Sequence, residues 1–296
     1  MDVVLPKPGT YVVAVSGGVD SMVLLDLLRQ QEDLHLVVAH LDHGMRMDSG
    51  DDRRLVEAIA KGLGLPFESK QANLGAGTSE AAARKHRYEF LEAVTADHGA
   101  DAIITAHHQD DVLETAIINM LRGSGRKGLT SLKNRPGVVR PLLRVPKSEL
   151  IEYAKDQGLR WREDSTNADD VYLRNYVRHR LLTRFDKEGR AKLLKIVTGL
   201  QATNAELDTL LVKQLGLKAA DGKLDRSWFN LLPHTTAREV LASWLRTHNM
   251  RGFNTPTLER LVVAAKVAPA GKRFSIAGGH QLVVHKDYLA LKVLER

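Results

Sequence analysis

The 296-residue sequence contains no cysteine, and this absence excludes several classes of protein at once. A chain without cysteine has no disulfides, thiolate metal sites, iron–sulfur clusters or cysteine nucleophiles. Aromatic residues make up 5% of the chain, and no apolar run reaches the roughly 18 residues of a membrane-spanning helix. Residues 1–10 lack the basic patch and apolar stretch of a signal peptide. We therefore expect a cytoplasmic protein with no membrane partner.

Charge is distributed unevenly along the chain, whose net charge is +7. Residues 1–121 carry 10 basic and 19 acidic side chains, residues 122–184 carry 15 and 7, and residues 185–296 carry 18 and 10. Acidic side chains can hold Mg²⁺, and a basic surface attracts polyanions such as nucleic acids. An ordinary solvated surface would give the same counts, so the charge pattern alone does not decide the function.

Apolar runs alternate with helical patterns in the first half of the chain. The pattern predicts strands at 11–15, 35–39, 66–70, 102–106 and 138–140, and helices at 20–31, 49–63, 78–98 and 110–122. Strands separated by helices of this length form right-handed βαβ units and a parallel sheet. Ligands then bind at the carboxyl ends of the strands. The expected fold is an α/β, Rossmann-like domain with flanking helices over residues 1–186.

The pattern changes after Pro146. Helices are predicted at 147–157, 171–184, 187–215, 234–248 and 255–267, and strands at 273–277, 281–285 and 288–293. Turn signals at Gly278-Gly279 and Lys286-Asp287 separate these last strands. We therefore predict a second, smaller α+β domain over residues 187–296.

The first predicted strand runs directly into a glycine-rich loop, Ser16-Gly17-Gly18-Val19-Asp20-Ser21, which opens the first helix. Paired glycines let the backbone approach a ligand, and the free N–H groups of a helix start bind an anion. A carboxylate at Asp20 suits this position only if a cation accompanies the phosphates. No Gly-Lys-Ser/Thr ending follows, so the loop is not a Walker loop. A plain turn with an acidic helix start is the alternative.

This hexapeptide resembles the phosphate loop of the N-type ATP pyrophosphatases, which reads Ser-Gly-Gly-x-Asp-Ser. The resemblance implies a PP-loop fold in which the loop grips the pyrophosphate of ATP. Members adenylate a carbonyl oxygen, and a nucleophile then displaces AMP. ATP and Mg²⁺ are therefore the expected cofactors, with Ser16, Gly17, Gly18, Val19, Asp20 and Ser21 as ATP-binding residues.

A second polar segment, His40-Leu41-Asp42-His43-Gly44-Met45-Arg46, ends the second predicted strand. Strand geometry places His40 and Asp42 on the same face, so a metal site is one interpretation. A polar loop that closes over adenine is the other. The resemblance favours the second interpretation, with His40 and Asp42 in the nucleotide pocket.

A third segment opens the helix predicted at 78–98 and contains Arg84, Arg87 and Tyr88 at three- and four-residue spacing. These residues lie close to one helix face, which would be an ordinary solvated face if nothing else were known. Similar synthases carry Glu-x-x-Ala-Arg-x-x-Arg-Tyr here. The resemblance therefore implies that Arg84 or Arg87 stabilises charge on the leaving pyrophosphate.

The richest polar segment is Thr105-Ala106-His107-His108-Gln109-Asp110-Asp111-Val112-Leu113-Glu114-Thr115. Asp111 and Glu114 lie one helical turn apart, and His107 lies near the helix entry. Adjacent carboxylates at a strand end can hold Mg²⁺ or receive an ammonium group. Helix capping is the alternative, although the segment has more polar residues than a cap needs.

Further motifs narrow the resemblance to the tRNA(Ile)-lysidine synthase family. They are Leu121-Arg122-Gly123-Ser124-Gly125-Arg126-Lys127-Gly128-Leu129, Arg140-Pro141-Leu142-Leu143, Trp161-Arg162-Glu163-Asp164-Ser165-Thr166-Asn167 and Arg174-Asn175-Tyr176-Val177-Arg178-His179-Arg180-Leu181-Leu182. Together with the earlier segments they match in order and spacing over residues 11–184. The match weakens over residues 187–296, where a substrate-binding domain is expected.

The resemblance implies a ligase of defined substrates. The enzyme would adenylate the C2 oxygen of cytidine 34 in the CAU anticodon of tRNA(Ile), and the ε-amine of free L-lysine would then displace AMP. Asp20 and Asp111 are the expected Mg²⁺ ligands, and Asp111 and Glu114 the expected ammonium site. Asp111, Glu114 and His107 all remain candidates for the base that takes the amine's proton.

Basic side chains that follow the acidic helix are the expected phosphate contacts for tRNA. They are Arg122, Arg126, Lys127, Arg174, Arg178 and Arg180. An exposed basic helix is the alternative for the last three. The sequence leaves a homodimer open.

Three other functions compete with this interpretation. A tRNA thiolase of the same fold would use cysteines, which this chain lacks. An amidotransferase-type synthetase would need a glutaminase domain in the chain or a partner. A nucleotide-binding RNA-interaction protein without turnover would not need Asp20, Asp111 and Glu114 together.

Overall fold

The chain forms two compact units, which are described separately. The structure, a computed structural model, describes residues 1–42, 49–72, 78, 80–162, 173–250 and 252–293. The first unit comprises Met1–Arg122 and Leu129–Val197, and the second comprises Gly123–Gly128 and Thr198–Arg296. No helix in the described ranges is long and apolar enough to cross a membrane.

A parallel sheet forms the centre of the first unit. Its strands are β1 (Gly9–Ala14), β2 (Leu34–Asp42), β3 (Phe67–Gln71), β4 (Ala102–Ile104) and β5 (Val138–Val139). Within the described part of this unit the strand order is β3-β2-β1-β4-β5. Val12 on β1 pairs with Val37 on β2 and Ile103 on β4. Strands β2 and β3 therefore lie on one side of β1, and β4 and β5 lie on the other. This reversal of direction along the sheet leaves a crevice at the carboxyl ends of β1 and β4.

Helices cover both faces of this sheet because its strands are apolar on both faces. They are α1 (Val19–Arg29), α2 (Ser49–Gly62) and α6 (Lys147–Asp156) on one face and α3 (Glu80–Asp97) on the other. The remaining helices in this part of the chain are α4 (Gln109–Leu121), α5 (Arg126–Leu129) and α7 (Leu173–Tyr176). Val13 packs in one core with residues of α1, α2 and α6. Val12, its neighbour in sequence, packs with α3 on the opposite face.

A π-helical turn, Val177–Leu181, follows α7 and is followed by a 3₁₀ turn, Leu182–Arg184. Val177 and Leu182 are buried against Leu113 and Ile118 of α4. The turn therefore holds Arg178 beside Asp111 and Glu114 of α4. π-Helical turns are rare and occur frequently at functional sites.

The second unit packs helices on an antiparallel sheet. Its elements are the later part of α8 (Lys187–Lys218), β6 (Ala219–Ala220), β7 (Lys223–Asp225), α9 (Arg226–Leu231), α10 (His234–Thr247), α11 (Thr255–Val267), β8 (Arg273–Ser275), β9 (His280–Val284) and β10 (Tyr288–Val293). Among the residues described, the strand order is β6-β7-β10-β9-β8. Trp244 and Phe229 are fully buried in its core.

The predicted fold class is confirmed, with a parallel sheet, flanking helices and a later α+β region. The helix predicted at 171–184 is interrupted by the π-helical and 3₁₀ turns, and β4 ends at Ile104 rather than at 106. The short elements β6, β7 and α9 lie around a turn at Asp221-Gly222, where no strand or helix was predicted. The division into two functional domains near residue 186 stays a prediction.

Candidate active site at the carboxyl ends of the strands

A cavity of about 400 Å³ lies at the crevice beside β1 and β4. Its walls come from the end of β1, from β2, from the segment after β4, and from α1, α3, α4 and α7. The polar and charged residues that line it are Ser16, Asp20, Ser21, Arg84, Arg87, Thr105, His107, Asp111 and Arg174. The structure therefore brings the first, third and fourth predicted motifs to one site.

Hydrogen bonds of two serines and the positive φ of one glycine define the conformation of the phosphate loop. The Ser21 hydroxyl donates to the Gly18 carbonyl at 2.9 Å, and the Ser16 N–H donates to Ser21 Oγ at 3.2 Å. Gly17 has a φ of +93°, which L side chains rarely adopt. Gly18 caps α1, so the first N–H groups of the helix face an incoming anion. This is the geometry expected of an anion-binding loop.

Arg162 fixes the loop from outside the cavity. The backbone N–H of Arg162 donates to the Gly17 carbonyl at 3.0 Å. Its guanidinium contacts Asp52 at 2.8 Å and Asp51 at 3.2 Å. Two carboxylates at the start of α2 thus anchor the arginine whose backbone N–H binds the Gly17 carbonyl. The sequence interpretation quoted Arg162 within a motif but gave it no role, because nothing local connects it to Gly17.

Asp20 forms an ion pair with a lysine side chain that was not predicted. Lys147, the first residue of α6, places its Nζ atom 2.5 and 2.6 Å from the two carboxylate oxygens of Asp20. The imidazole of His108 lies between Asp20 and Asp111, with Nε2 at 3.7 and 3.5 Å from one oxygen of each. Asp20 and Asp111, the predicted Mg²⁺ ligands, therefore flank one buried ring. Among the described residues, no group of three or more acidic or histidine side chains forms a metal site.

Asp111 and His107 form the middle of the cavity. Asp111 Oδ2 accepts the His108 N–H at 2.9 Å, and Thr105 Oγ1 lies 2.8 Å from His107 Nδ1. Burial raises the pKa of Asp111, but His108, its backbone N–H and Arg178 outweigh burial, so the pKa lies below its ordinary value. Burial lowers the pKa of His107 to about 3. At neutral pH, Asp111 is therefore a carboxylate and His107 a neutral ring.

Glu114 lies deeper and is fully buried. Arg178, on the π-helical turn, donates from Nε and Nη2 to its two oxygens at 2.6 and 3.0 Å. The same guanidinium lies 3.7 Å from Asp111. Burial raises the pKa of Glu114 above its ordinary value, although Arg178 lowers it. A fork-to-fork pair of this kind is among the stronger ionic contacts in proteins.

The arginines of α3 surround Tyr88. The guanidinium carbons of Arg84, Arg87 and Arg135 lie 5.1, 5.8 and 4.9 Å from the centre of its ring. Arg140 donates to the phenol oxygen at 3.3 Å. Burial raises the pKa of Tyr88, but these positive charges prevail and lower it. Arg84 and Arg87 of this cluster line the cavity, so part of its wall is positively charged.

The second predicted motif contributes differently from the expectation. Ala39 and Leu41 of β2 line the cavity. Successive side chains on a strand point to opposite faces, so the intervening His40 points away, and its Nδ1 lies 2.9 Å from the Val15 carbonyl oxygen. Burial lowers the pKa of His40. Contact of His40 and Asp42 with a nucleotide stays a prediction. Residues 43–46, Ser79 and residues 163–167 of the quoted motifs lie outside the described residues.

The six basic residues predicted to contact tRNA occupy three kinds of environment. Arg122 and Arg180 are exposed. Arg174 lines the cavity and Arg178 pairs with Glu114. Within the second unit, Arg126 bonds Asp208 and Glu239 at 3.1 and 2.9 Å, and Lys127 bonds Asp208 at 2.9 Å.

Comparison with known proteins finds one matching family and relatives that share one name. Residues 4–185 match the family described as PP-loop domain. The tRNA(Ile)-lysidine synthase of Solibacter usitatus is 33% identical over 275 residues, which cover 88% of this chain and 62% of that protein. The synthase of Thermus thermophilus is 44% identical over 174 residues, covering 56% and 34%. The chain thus spans less than two thirds of the length of these curated relatives.

The fold resembles that of solved structures, among them a tRNA thiolase. The U34-tRNA thiolase NcsA from Methanococcus maripaludis, with its [4Fe-4S] cluster, superposes with a TM-score of 0.56. It is 18% identical, and the match covers 68% of this chain and 74% of that one. At this identity the likeness shows the fold alone.

Proposed function

The chain belongs to the PP-loop domain family, and on this premise we propose that it is a tRNA(Ile)-lysidine synthase. The observation that carries the proposal is one cavity with an anion-binding loop, including Asp20, on one wall and the carboxylate of Asp111 on another. An enzyme that joins ATP, a base and a cationic amino acid needs both walls. The similarity to curated lysidine synthases over 88% of the chain supports the same reaction.

The proposed reaction has two steps. The C2 oxygen of cytidine 34 in the CAU anticodon of tRNA(Ile) attacks the α-phosphorus of ATP, an oxygen–phosphorus bond forms, and pyrophosphate leaves. The lysine ε-amine then forms a bond to C2, the carbon–oxygen bond breaks, AMP leaves and the amine gives up a proton. Extrusion of the base gives the enzyme access to C2. We propose the cytoplasm as the location because its substrates are found there.

The phosphate loop and the arginines suit the first step. The hydroxyls of Ser16 and Ser21 and the N–H groups at the start of α1 would bind the phosphates, while Arg84 and Arg87 line the same cavity. Positive groups fixed in advance stabilise the charge that develops on the departing pyrophosphate. No rearrangement of these groups is then needed during the step.

The carboxylates Asp20 and Asp111 fit Mg²⁺ by their chemistry. Magnesium prefers oxygen ligands and is commonly held by one or two carboxylates together with substrate phosphates. Both side chains line the cavity, and each has an oxygen close to His108 Nε2, at 3.7 and 3.5 Å respectively. When bound, the metal would neutralise phosphate charge.

The directions of the pKa shifts distinguish the three candidate bases. A pKa of about 3 leaves His107 far below the lysine ammonium, whose ordinary pKa is about 10.4. Transfer of a proton between them would cost about 10 kcal/mol at equilibrium. Asp111 has a lowered pKa, whereas that of Glu114 is raised. We therefore propose that Asp111 orients the ammonium and that Glu114 takes its proton.

Docking of the tRNA would use exposed basic residues. Arg122 and Arg180 are the exposed members of the predicted set. We propose that they contact tRNA phosphates and that residues 187–296 hold another part of the tRNA. Charge reversal of Arg122 and Arg180 should weaken tRNA binding and reduce its salt dependence.

The test is incorporation of radiolabelled lysine into an isoleucine CAU tRNA transcript in the presence of Mg-ATP. We expect incorporation that requires ATP and disappears when cytidine 34 is replaced. Asp111→Asn should abolish it, and Asp110→Asn, which removes the adjacent carboxylate, should not. Pyrophosphate release that depends on tRNA but not on lysine would point to another nucleophile. Absence of both signals from a folded protein would refute the proposal.

A further inference from the structure

Lys147 lies where two helix starts meet. It is the first residue of α6, and its ammonium contacts both oxygens of Asp20, the second residue of α1, at 2.5 and 2.6 Å. Residues 20 and 147 are 127 positions apart in the chain. Packing of Leu150 and Ala154 in the core beside α1 brings them together.

The ion pair is not what holds the two helices in place. The side chains of Lys147 and Asp20 are 32% and 28% exposed, and ion pairs open to solvent contribute little to stability. The buried Leu150 and Ala154 supply the packing. The lysine can therefore change partner without loss of the helix arrangement.

Asp20 has an electrostatic conflict with its surroundings. It lines the cavity together with Ser16 and Ser21, whose hydroxyls belong to the anion-binding loop. A bare carboxylate there would repel the phosphates that the loop attracts. The Lys147 ammonium cancels that charge, and its flexible four-carbon stem and three donors let it bind a neighbouring phosphate as well.

We propose that Lys147 is a phosphate-binding residue of this site, held on Asp20 until a nucleotide enters and then shared with the β- and γ-phosphates. This inference rests on the ATP site of the proposed function. It assigns a task to a residue outside the phosphate loop and outside the α3 arginines. It also implies that the contribution of Lys147 depends on the terminal phosphates and not on the adenosine.

The test compares the affinities of ATP and AMP by calorimetry on the full chain, without tRNA, in the presence of Mg²⁺. Lys147→Met should weaken ATP binding at least about 10-fold, which is the usual worth of a lost charged hydrogen bond, and leave AMP binding unchanged. Lys147→Arg keeps the charge and should retain most of the affinity. Lys155→Met makes the same replacement at an exposed lysine on the same helix and should leave both affinities at the wild-type values.

Three results would overturn the inference. They are wild-type ATP affinity in Lys147→Met, equal losses of ATP and AMP affinity in that variant, and a wild-type protein that binds ATP no more tightly than AMP. Equal thermal midpoints for the two methionine variants would confirm that Lys147→Met is folded. A wild-type protein that binds ATP as expected but transfers no lysine would contradict the proposed function and leave the Lys147 result intact.

Discussion

Acid should destabilise the first unit through His107. The side chain is neutral in the folded protein, with a pKa of about 3, whereas an unfolded chain binds the proton below about pH 6.5. The unfolded state therefore binds more protons between these values, and the free energy of unfolding falls as the pH falls. Between about pH 7.5 and about pH 5 the loss from this residue is about 2 kcal/mol.

Urea unfolding of the wild type and of His107→Asn at the two pH values measures this loss. Asparagine cannot gain the proton, so the stability difference between the two proteins should change by about 2 kcal/mol on acidification, with the wild type losing more. Contributions from every other group cancel in the difference to first order. His35→Asn replaces an exposed histidine and should follow the wild type at both pH values. A difference between wild type and His107→Asn that is the same at both pH values would refute the assignment of a neutral ring in the cavity wall.

Three further predictions concern the loop, the second unit and the proposed base. Gly17→Ala should weaken ATP binding in a titration, because an L side chain at a φ of +93° costs about 1–3 kcal/mol. The control is Gly64→Ala, which has a φ of +68° and open space around it. This variant should leave ATP affinity unchanged. Arg226→Met should lower the free energy of unfolding by about 3 kcal/mol, since the Arg226 guanidinium donates to four backbone carbonyls. Arg273→Met, at an exposed site on β8, should change the free energy of unfolding little. Equal urea midpoints for the two variants would contradict the prediction. Glu114→Gln should slow lysine transfer about 100-fold in single-turnover assays and preserve tRNA-dependent pyrophosphate release, and an unchanged transfer rate would exclude Glu114 as the base.

The elements around the cavity could be predicted because their signals are local. An apolar run such as Tyr11 to Val15 predicts a strand from its own composition, and polar residues directly after it are expected at the carboxyl edge of the sheet. The phosphate loop and Asp111 were placed at this edge by such local signals, and both line the cavity. Their chemistry follows from position on a parallel sheet, where strand ends converge.

Contacts between distant parts of the chain could not be predicted in the same way. Lys147 and Arg162 reach the phosphate loop from residues 127 and 145 positions further along the sequence, and no periodicity marks them. Arg178 was predicted to contact tRNA, with an exposed basic helix as the alternative, and its pairing with Glu114 from the π-helical turn was not predicted. A carboxylate in a protein interior needs a positively charged partner, so the sequence could predict that such partners exist. It could not predict which basic residues they are.

The ion pairs of the first unit explain part of the uneven distribution of charge along the chain. Lys147 and Arg178 come from the basic segment 122–184, and they neutralise Asp20 and Glu114 from the acidic segment 1–121. Arg162 does the same for Asp52. Part of the basic excess therefore balances carboxylates within the first unit. It follows that the charge counts overstate the surface available to a polyanion, and that tRNA binding should depend most strongly on exposed residues outside these pairs.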